Sequence, residues 1–404
     1  MIYRVLHFLL KNKQDMRVVV IFSFVLWFIG VSGQDSNDGK CYILHPFVFS
    51  ADSTVLIQPE VKWEYNFDGD PNRYGVSKMV LSYDINNDGI AEIITQGNGN
   101  GNQNLANQIK VLDSRNGQVI RTITLPFEYL IFTGTAVIGD VYNDGNPVII
   151  VSKDISSSQS GVQLVCLDFD GNIKWESDVV PIKTNKYIQR GYNLGLADFN
   201  RDGIPELYLT NIILNARTGK KLIDGGSNGL GLSKYSGTPY LSISVAANVD
   251  DDDDLELVAG YSVYKVTITN TNDEAGNAMM PINIMVNGVY LDGCTSISDI
   301  DLDGKLDIIV SVNSTEDDPN PVDLYCYTIS NGIAKLLAKA DRKTYPSHGI
   351  DTDQYVKTMA GTYYNRHKNR EDIFLVVREG NTSNGAAYIV NYSYDGTLNL
   401  KKNW

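Results

Sequence analysis

Short apolar runs alternate with acidic, glycine-containing loops along most of the chain. In residues 196–209, LADFNRDGIPELYL, one apolar run leads into Asp198, Asn200 and Asp202, turns at Gly203 and continues through Glu206 into a second apolar run. Short apolar runs of this kind, bounded by turn residues and without a helical period, are typical of β-strands. The segment therefore predicts two strands joined by an acidic loop.

The same pattern recurs along the chain at a spacing of 50 to 58 residues. We name the five clear copies loop 1 to loop 5, over residues 84–92, 140–148, 198–206, 248–256 and 299–307; a sixth copy from Gly361 keeps the strand but has lost the acidic loop. In five of the six copies two further apolar runs follow, joined by a turn pair that favours a hairpin. These pairs are Asn116-Gly117, Asp170-Gly171, Thr218-Gly219, Asn331-Gly332 and Asp395-Gly396.

Four short strands in each copy predict an all-β fold, a β-propeller of six or seven four-stranded blades over residues 61–404. Residues 61–67, VKWEYNF, resemble IKWE of the second copy. That strand could close the ring against the last blade, or it could be the outer edge of a seventh blade with residues 34–60. An array of separate β-sandwich modules is the alternative, but copies this short and without linkers favour the propeller.

Composition and the N-terminus indicate an exported, acidic protein. The formal net charge is −14, from 48 acidic against 34 basic residues, which argues against a nucleic-acid partner and suits a protein that binds cations. Residues 18–33 form an apolar run after Arg17 and end in small residues, which predicts a signal peptide over residues 1–33, with Met16 as an alternative start. The run is shorter than the ~20 residues of a membrane span, so we expect secretion or cell-surface location without a stable span. A retained signal anchor is the alternative.

Cys166 and Cys326 lie in apolar runs and predict buried free thiols rather than a disulfide.

The loops predict metal binding. Side-chain oxygens recur at positions 1, 3 and 5, glycine at position 6 allows a sharp turn, and an acid recurs at position 9. Such turns are common in their own right, but no turn requires the acid at position 9. Calcium takes six to eight oxygen ligands, which a loop of this kind supplies. An EF-hand is excluded, because position 12 is Thr95 in loop 1 and Leu209 in loop 3, and both flanks are strands.

The pattern resembles the FG-GAP (or VCBS) repeat, known from the propeller of integrin α-subunits, over roughly residues 60–404. Upstream segments such as FTGTAVIGDVYNDG, residues 132–145, and GYNLGLADFNRDG, residues 191–203, carry the aromatic-glycine element of that repeat. The resemblance implies about four calcium sites and a role in adhesion or ligand recognition. The ligands that it implies are Asp84, Asn86, Asp88, the Ile90 carbonyl and Glu92 in loop 1; Asp198, Asn200, Asp202, the Ile204 carbonyl and Glu206 in loop 3; Asn248, Asp250, Asp252, the Asp254 carbonyl and Glu256 in loop 4; and Asp299, Asp301, Asp303, the Lys305 carbonyl and Asp307 in loop 5.

Three copies depart from the pattern. In loop 4, Asn248 replaces the first acid and Asp253 replaces the turn glycine, which changes the expected backbone. Loop 2 has Tyr142 at position 3 and Val148 at position 9, so Asp140 and Asp144 are expected to bind weakly or not at all. The sixth copy is expected to be empty.

No catalytic constellation is visible. The four histidines have no metal-ligand spacing, and His367 is expected in a solvated turn of the sixth copy. The predicted function is a non-catalytic recognition or adhesion module for a protein or glycan. The alternative is a calcium-dependent polysaccharide lyase similar to the rhamnogalacturonan lyases, which would group a basic residue or a tyrosine beside a calcium ion in one cleft.

Overall fold

The computed structural model describes Trp63 and residues 80–96, 108–125, 136–153, 161–181, 192–235, 238–250, 252–313, 322–341, 355–357, 360–379 and 387–403. These residues form β-strands and turns without a helix, which confirms the all-β prediction. None of them belongs to a helix of the length and apolarity that crossing a bilayer takes. The predicted signal peptide and the segment 34–60 lie outside the described residues.

The chain divides into two compact units, residues 1–127 and 128–404. The first unit contains sheet 1, an antiparallel sheet whose four strands follow one another in chain order. Its strands are β1 (Val80–Tyr83), β2 (Glu92–Gln96), β3 (Gln108–Leu112) and β4 (Val119–Thr124).

The second unit repeats this plan in five further sheets. Sheet 2 consists of β5 (Val137–Gly139), β6 (Val148–Lys153), β7 (Gln163–Asp168) and β8 (Ile173–Glu176); sheet 3 of β9 (Leu194–Ala197), β10 (Glu206–Leu209), β11 (Ile212–Asn215) and β12 (Lys221–Asp224). A two-stranded hairpin that the sequence did not indicate follows, β13 (Leu232–Tyr235) and β14 (Thr238–Ser242). Sheet 4 consists of β15 (Val245–Ala247), β16 (Glu256–Ala259), β17 (Ser262–Thr267) and β18 (Ala278–Asn283); sheet 5 of β19 (Cys294–Ser298), β20 (Asp307–Ser311), β21 (Val322–Ser330) and β22 (Ile333–Asp341).

Sheet 6 has five strands, because its long strand β25 pairs with two short ones on the same side. These strands are β23 (Tyr355–Lys357), β24 (Gly361–Asn365), β25 (Arg370–Glu379), β26 (Ala387–Ser393) and β27 (Lys401–Asn403). Each predicted copy of the sequence pattern therefore corresponds to one antiparallel sheet.

Consecutive sheets of the second unit pack against each other through shared apolar cores. One core joins sheets 2 and 3, with Ile150 and Cys166 packed in the same cluster as Leu207 and Leu214. Further clusters join sheet 3 to sheet 4, sheet 4 to sheet 5 and sheet 5 to sheet 6. The first strands of sheets 2 to 5 also contact one another in sequence. Burying both faces explains why the second and third strands read as nearly continuous apolar runs.

The predicted hairpin turns are present. Gly117, Gly171, Gly219, Gly332 and Gly396 all have positive φ, between +70° and +88°. This is the left-handed conformation that hairpin turns need and that glycine adopts without steric cost.

Two of these hairpins are each covered by a tryptophan, and both tryptophans make the same contacts. Trp175 of β8 donates its indole N–H to the Ala216 carbonyl at 3.1 Å and lies directly over Gly219. Within the first unit, Trp63 donates to the Ser114 carbonyl at 3.1 Å and lies over Gly117. The structural equivalence of the two tryptophans matches the similarity of VKWE and IKWE in the sequence.

Cys166, Cys294 and Cys326 are buried and free, which confirms the prediction for Cys166 and Cys326; Cys41 lies outside the described residues. Burial raises the pKa of the Cys166 thiol to about 12. These thiols therefore act as core side chains.

Candidate metal centres

Loops 1 to 5 each join the first and second strands of one sheet. Position 1 follows the last residue of the first strand, and position 9 is the first residue of the second. The residue before position 1 pairs with position 9, as in Ala197 with Glu206 and Ser298 with Asp307. Strand pairing thus brings the acid at position 9 back beside the start of its loop.

In loops 1, 3 and 5 the first acid organises the backbone. Asp198 accepts hydrogen bonds from the N–H groups of Asp202 at 3.1 Å and Gly203 at 2.8 Å. Asp84 and Asp299 accept equivalent bonds in their loops. The residue at position 4 has positive φ in all three loops, and the turn glycine follows at φ between +83° and +92°. The three loops therefore share one conformation that carries their side-chain oxygens.

The acid at position 9 is buried beneath the loop. Glu92, Glu206 and Asp307 are 2%, 4% and 1% exposed. Each accepts a hydrogen bond of 3.0 Å from the backbone N–H of position 2. In loops 1 and 3 the position-3 amide also lies beside it, with Asn200 Nδ2 3.2 Å and Asn86 Nδ2 3.4 Å from the glutamate Oε1.

The remaining predicted ligands lie on the exposed side of the same loops. The carboxylates of Asp88, Asp202 and Asp303 at position 5 are exposed and accept the N–H of position 7, which belongs to Ile90, Ile204 and Lys305. The backbone at position 7 therefore folds back toward the carboxylate at position 5.

Electrostatics disfavour the buried charges. Burial, together with the nearby carboxylates of Asp202 and Asp198, raises the pKa of Glu206 to about 7. The pKa of Asp307 is raised to about 7 by burial and by its neighbours Asp301 and Asp303, and the pKa of Glu92 is raised for the same reasons. A carboxyl group surrounded by other carboxylates holds its charge more easily when a cation is bound beside it.

Carboxylate oxygens converge most closely in two of the loops. Asp299, Asp301 and Asp307 of loop 5, and Asp250, Asp252 and Glu256 of loop 4, each offer oxygens within 4.8 Å of one another. Either group could hold a metal ion, and an all-oxygen donor set fits a hard cation. In loops 1 and 3 an asparagine takes the third position, and the three acids stand at positions 1, 5 and 9.

Loop 4 departs from loops 1, 3 and 5 in its backbone. Asn248 donates its side-chain N–H to the Asp252 carbonyl at 2.6 Å, instead of accepting backbone N–H groups. Asp253, at the position of the turn glycine, does not have positive φ. The exposed side chain of Asp254 pairs with Arg201 of loop 3 at 3.0 Å. The first two differences follow from the substitutions at positions 248 and 253.

Loop 2 has no charge at position 9, where Val148 is buried. Asp140 keeps its bonds to the N–H groups of Asp144 and Gly145. Arg217 of the next sheet donates to the carbonyls of Val141 at 2.9 Å and Tyr142 at 3.2 Å. The loop is thus held by the backbone and by an arginine.

The strand register also reveals a position-9 acid in the sixth copy. Asp372 pairs with Tyr363 as Glu206 pairs with Ala197, so residues 364–372 correspond to the other loops, and we name them loop 6. Positions 1, 3 and 5 are Tyr364, Arg366 and Lys368, none of which supplies a carboxylate. His367 lies exposed in this turn, as predicted.

Sequence reasoning missed this acid and two basic residues, Lys265, which forms an ion pair with Asp250 of loop 4, and Arg370, which forms one with Asp372. Asp372 is visible in the sequence only when position 9 is counted back from the second strand, because the loop itself has changed. Lys265 carries no motif and reaches loop 4 only through strand pairing, and Arg370 lies in loop 6 itself, where the acidic pattern has been lost.

No protein-family model and no curated protein matches this chain. Among solved structures it is similar to the V. cholerae biofilm matrix protein Bap1, at 15% identity and a TM-score of 0.42, over 85% of this chain and 69% of that one. It is also similar to the rhamnogalacturonan lyase PL11 of Bacillus licheniformis, at 14% identity and a TM-score of 0.49, over 80% of this chain and 63% of the lyase.

Proposed function

We propose that the chain is a calcium-stabilised β-propeller that works outside the cell as a recognition or adhesion module for a protein or glycan. The observation that carries the proposal is the buried acid of loops 1, 3 and 5. Among the described residues, no Lys or Arg forms an ion pair with Glu92, Glu206 or Asp307. A buried, unpaired carboxylate beside further acids is destabilising unless a cation binds to it.

Calcium fits these loops better than a transition metal. The donors in each are carboxylate and amide oxygens, and a backbone carbonyl follows the turn glycine at Ile90, Ile204 and Lys305. Hard cations prefer such oxygens, whereas zinc or copper prefers nitrogen and sulfur ligands. We expect about four sites, in loops 1, 3, 4 and 5.

The metal would stabilise the fold rather than take part in a reaction. Each loop ties the first strand of a sheet to the second, so a bound ion would cross-link the two strands. At a calcium concentration tenfold above the dissociation constant, each site would contribute about 1.4 kcal/mol to the free energy of unfolding.

The arrangement of the sheets, the resemblance of the loops and the expected signal peptide support the propeller and its extracellular recognition role. The six sheets follow the chain in order, and consecutive sheets of the second unit share cores, as blades do. The loops resemble FG-GAP repeats, whose propellers serve adhesion and ligand recognition. Export to a calcium-rich compartment follows from the signal peptide expected over residues 1–33.

A calcium titration of the chelator-treated protein tests the metal part of this proposal. We expect saturable binding by calorimetry and a rise in melting temperature over the same concentration range. Absence of binding, or binding without stabilisation, would contradict it.

The recognition part needs a separate test. A glycan array and a pull-down with extracellular-matrix components, both in calcium, should give a ligand that the calcium-saturated protein binds. Incubation with pectic polysaccharides, followed by the ultraviolet absorbance of unsaturated products, tests the lyase alternative. Steady product formation would replace the recognition function with an enzymatic one.

A further inference from the structure

Loop 4 contains a cation that the chain itself supplies. Lys265 of β17 places its ammonium nitrogen 2.6 Å from Asp250 Oδ2 and 2.8 Å from Asp252 Oδ2. These are the acids at positions 3 and 5. The Asp250 side chain is only 4% exposed, so the ion pair is largely removed from water on that side.

The position of Lys265 in its sheet explains how it reaches the loop. It pairs directly with Glu256, the acid at position 9, on the neighbouring strand. The residues at the same register in sheets 2, 3 and 6 are Asp168, Asn215 and Ser393. Among sheets 2, 3, 4 and 6, only sheet 4 therefore has a basic residue opposite position 9.

Loop 6 is neutralised in a similar manner. Arg370 places Nε 2.6 Å from Oδ1 of Asp372, whose side chain is 2% exposed. Asn365 and Tyr363 donate to the other oxygen of Asp372 at 2.9 and 3.0 Å. The buried carboxylate of Asp372 therefore has an arginine counter-ion and two hydrogen-bond donors.

We propose that Lys265 and Arg370 are built-in counter-ions that take the place of the metal in loops 4 and 6, so that the chain binds three calcium ions, in loops 1, 3 and 5. The inference rests on the proposed calcium function and corrects its number of sites. It also explains the altered backbone of loop 4, because a loop closed by an ammonium group does not need the turn glycine or the first acid.

Native mass spectrometry of the chelator-treated full chain with added calcium counts the ions. We expect three in the wild-type protein. Lys265→Met keeps the length of the side chain and removes its charge, so loop 4 should then take a fourth ion. Lys221→Met is the matched control, because Lys221 pairs with Glu274 at 3.0 Å outside any loop, and it should stay at three.

Melting in chelator tests the counter-ion role without any metal. Lys265→Met should melt several degrees below Lys221→Met, and calcium should restore it. Arg370→Met should also melt lower, but calcium should not restore it, because loop 6 has no acids at positions 1, 3 and 5. If Lys265→Met alone does not fold, Lys265→Met with Asp250→Asn should, since the second change removes the unpaired charge.

The outcomes separate this inference from the proposed function. Four ions in the wild-type protein, or equal melting of Lys265→Met and Lys221→Met in chelator, overturns the inference. If the wild-type protein binds no calcium, the proposed function fails, while a low melting temperature of Lys265→Met still supports the counter-ion role.

Discussion

At the scale of single residues, the acid at position 9 does two things. It fixes the start of the loop by accepting the N–H of position 2, and it adds a charge where water is excluded. Glu206 shows both, since it accepts from Phe199 and is almost fully buried. Burial therefore shifts the protonation equilibrium of Glu206 toward the neutral form in the metal-free protein, and a bound cation would shift it back toward the charged form.

Glu206→Gln separates these two properties, because it keeps the size and hydrogen-bonding ability of the side chain and removes the charge. We expect the variant to melt in chelator at or above the wild-type temperature. Its gain in melting temperature on calcium addition should fall by roughly one third, as expected when one of three sites is lost. Calorimetric melting with and without calcium measures both, and Glu274→Gln, an exposed acid outside the loops, is the control. A full calcium response of Glu206→Gln would show that loop 3 does not use this ligand.

The same residues predict a pH dependence of the metal-free protein. In the fold the pKa of Glu206 is raised from 4.5 to about 7, and that of Asp307 from 3.8 to about 7. The folded state therefore binds protons more tightly than the unfolded state between these values. The stabilisation that these two groups contribute is complete below about pH 4 and is lost as the pH rises through about 7.

We therefore expect these groups to make the chelated protein less stable at pH 8 than at pH 5.5. Chemical denaturation at both pH values measures the difference. The difference in stability between the two pH values should be smaller in the double variant Glu206→Gln, Asp307→Asn. Saturating calcium should also reduce this difference in the wild-type protein. An unchanged difference in the double variant would contradict the assignment.

At the scale of elements, the hairpin between the third and fourth strands depends on its glycine for two reasons. Gly219 has φ +71°, and a Cβ there would lie 2.6 Å from the Trp175 ring. Gly203, in loop 3, has φ +84° but nothing within 4 Å of a Cβ. The two glycines thus have the same backbone requirement in different surroundings.

Gly203→Ala should lower the free energy of unfolding by about 1 kcal/mol, the cost of a left-handed alanine. Gly219→Ala should cost more, because the Trp175 ring must also move and its hydrogen bond to the Ala216 carbonyl must break. Urea denaturation in chelator compares the two variants without a contribution from metal. Equal losses would mean that the tryptophan does not pack on the hairpin as described.

At the scale of the whole molecule, the acidic loops account for much of the net charge of −14. Binding of several calcium ions would therefore reduce the repulsion within the protein as well as tie its strands together. Magnesium carries the same charge but demands a near-ideal octahedral shell at about 2.0–2.1 Å and gives up its waters reluctantly.

We therefore expect calcium to raise the melting temperature by on the order of 10 °C at concentrations well above its dissociation constant. Magnesium at the same concentration should produce only a small part of this rise. Parallel thermal scans in the two ions measure it, with equal ionic strength to separate binding from screening. Equal effects of the two ions would indicate non-specific charge screening.

Much of this molecule could be predicted from its sequence because the information is local. The turn glycines, the acids at positions 1, 5 and 9, and the apolar runs all act within about ten residues of one another. Their repetition then predicted one four-stranded sheet per copy, and the structure has those sheets. The hairpin β13–β14 was missed because its apolar residues lie in a region without the repeated pattern.

By itself, then, the sequence determined the strands and hairpin turns of the repeated copies and the acidic loops 1, 3 and 5, since each is specified by contacts between near neighbours. The tertiary structure alone decided which loops still lack a cation. Lys265 meets Asp250 only because two strands pair in one register, Asp372 is recognised as a position-9 acid only from its pairing with Tyr363, and Arg217 reaches loop 2 from the next sheet. Charge compensation depends on distance in space, and a repeat pattern along the chain does not carry that distance.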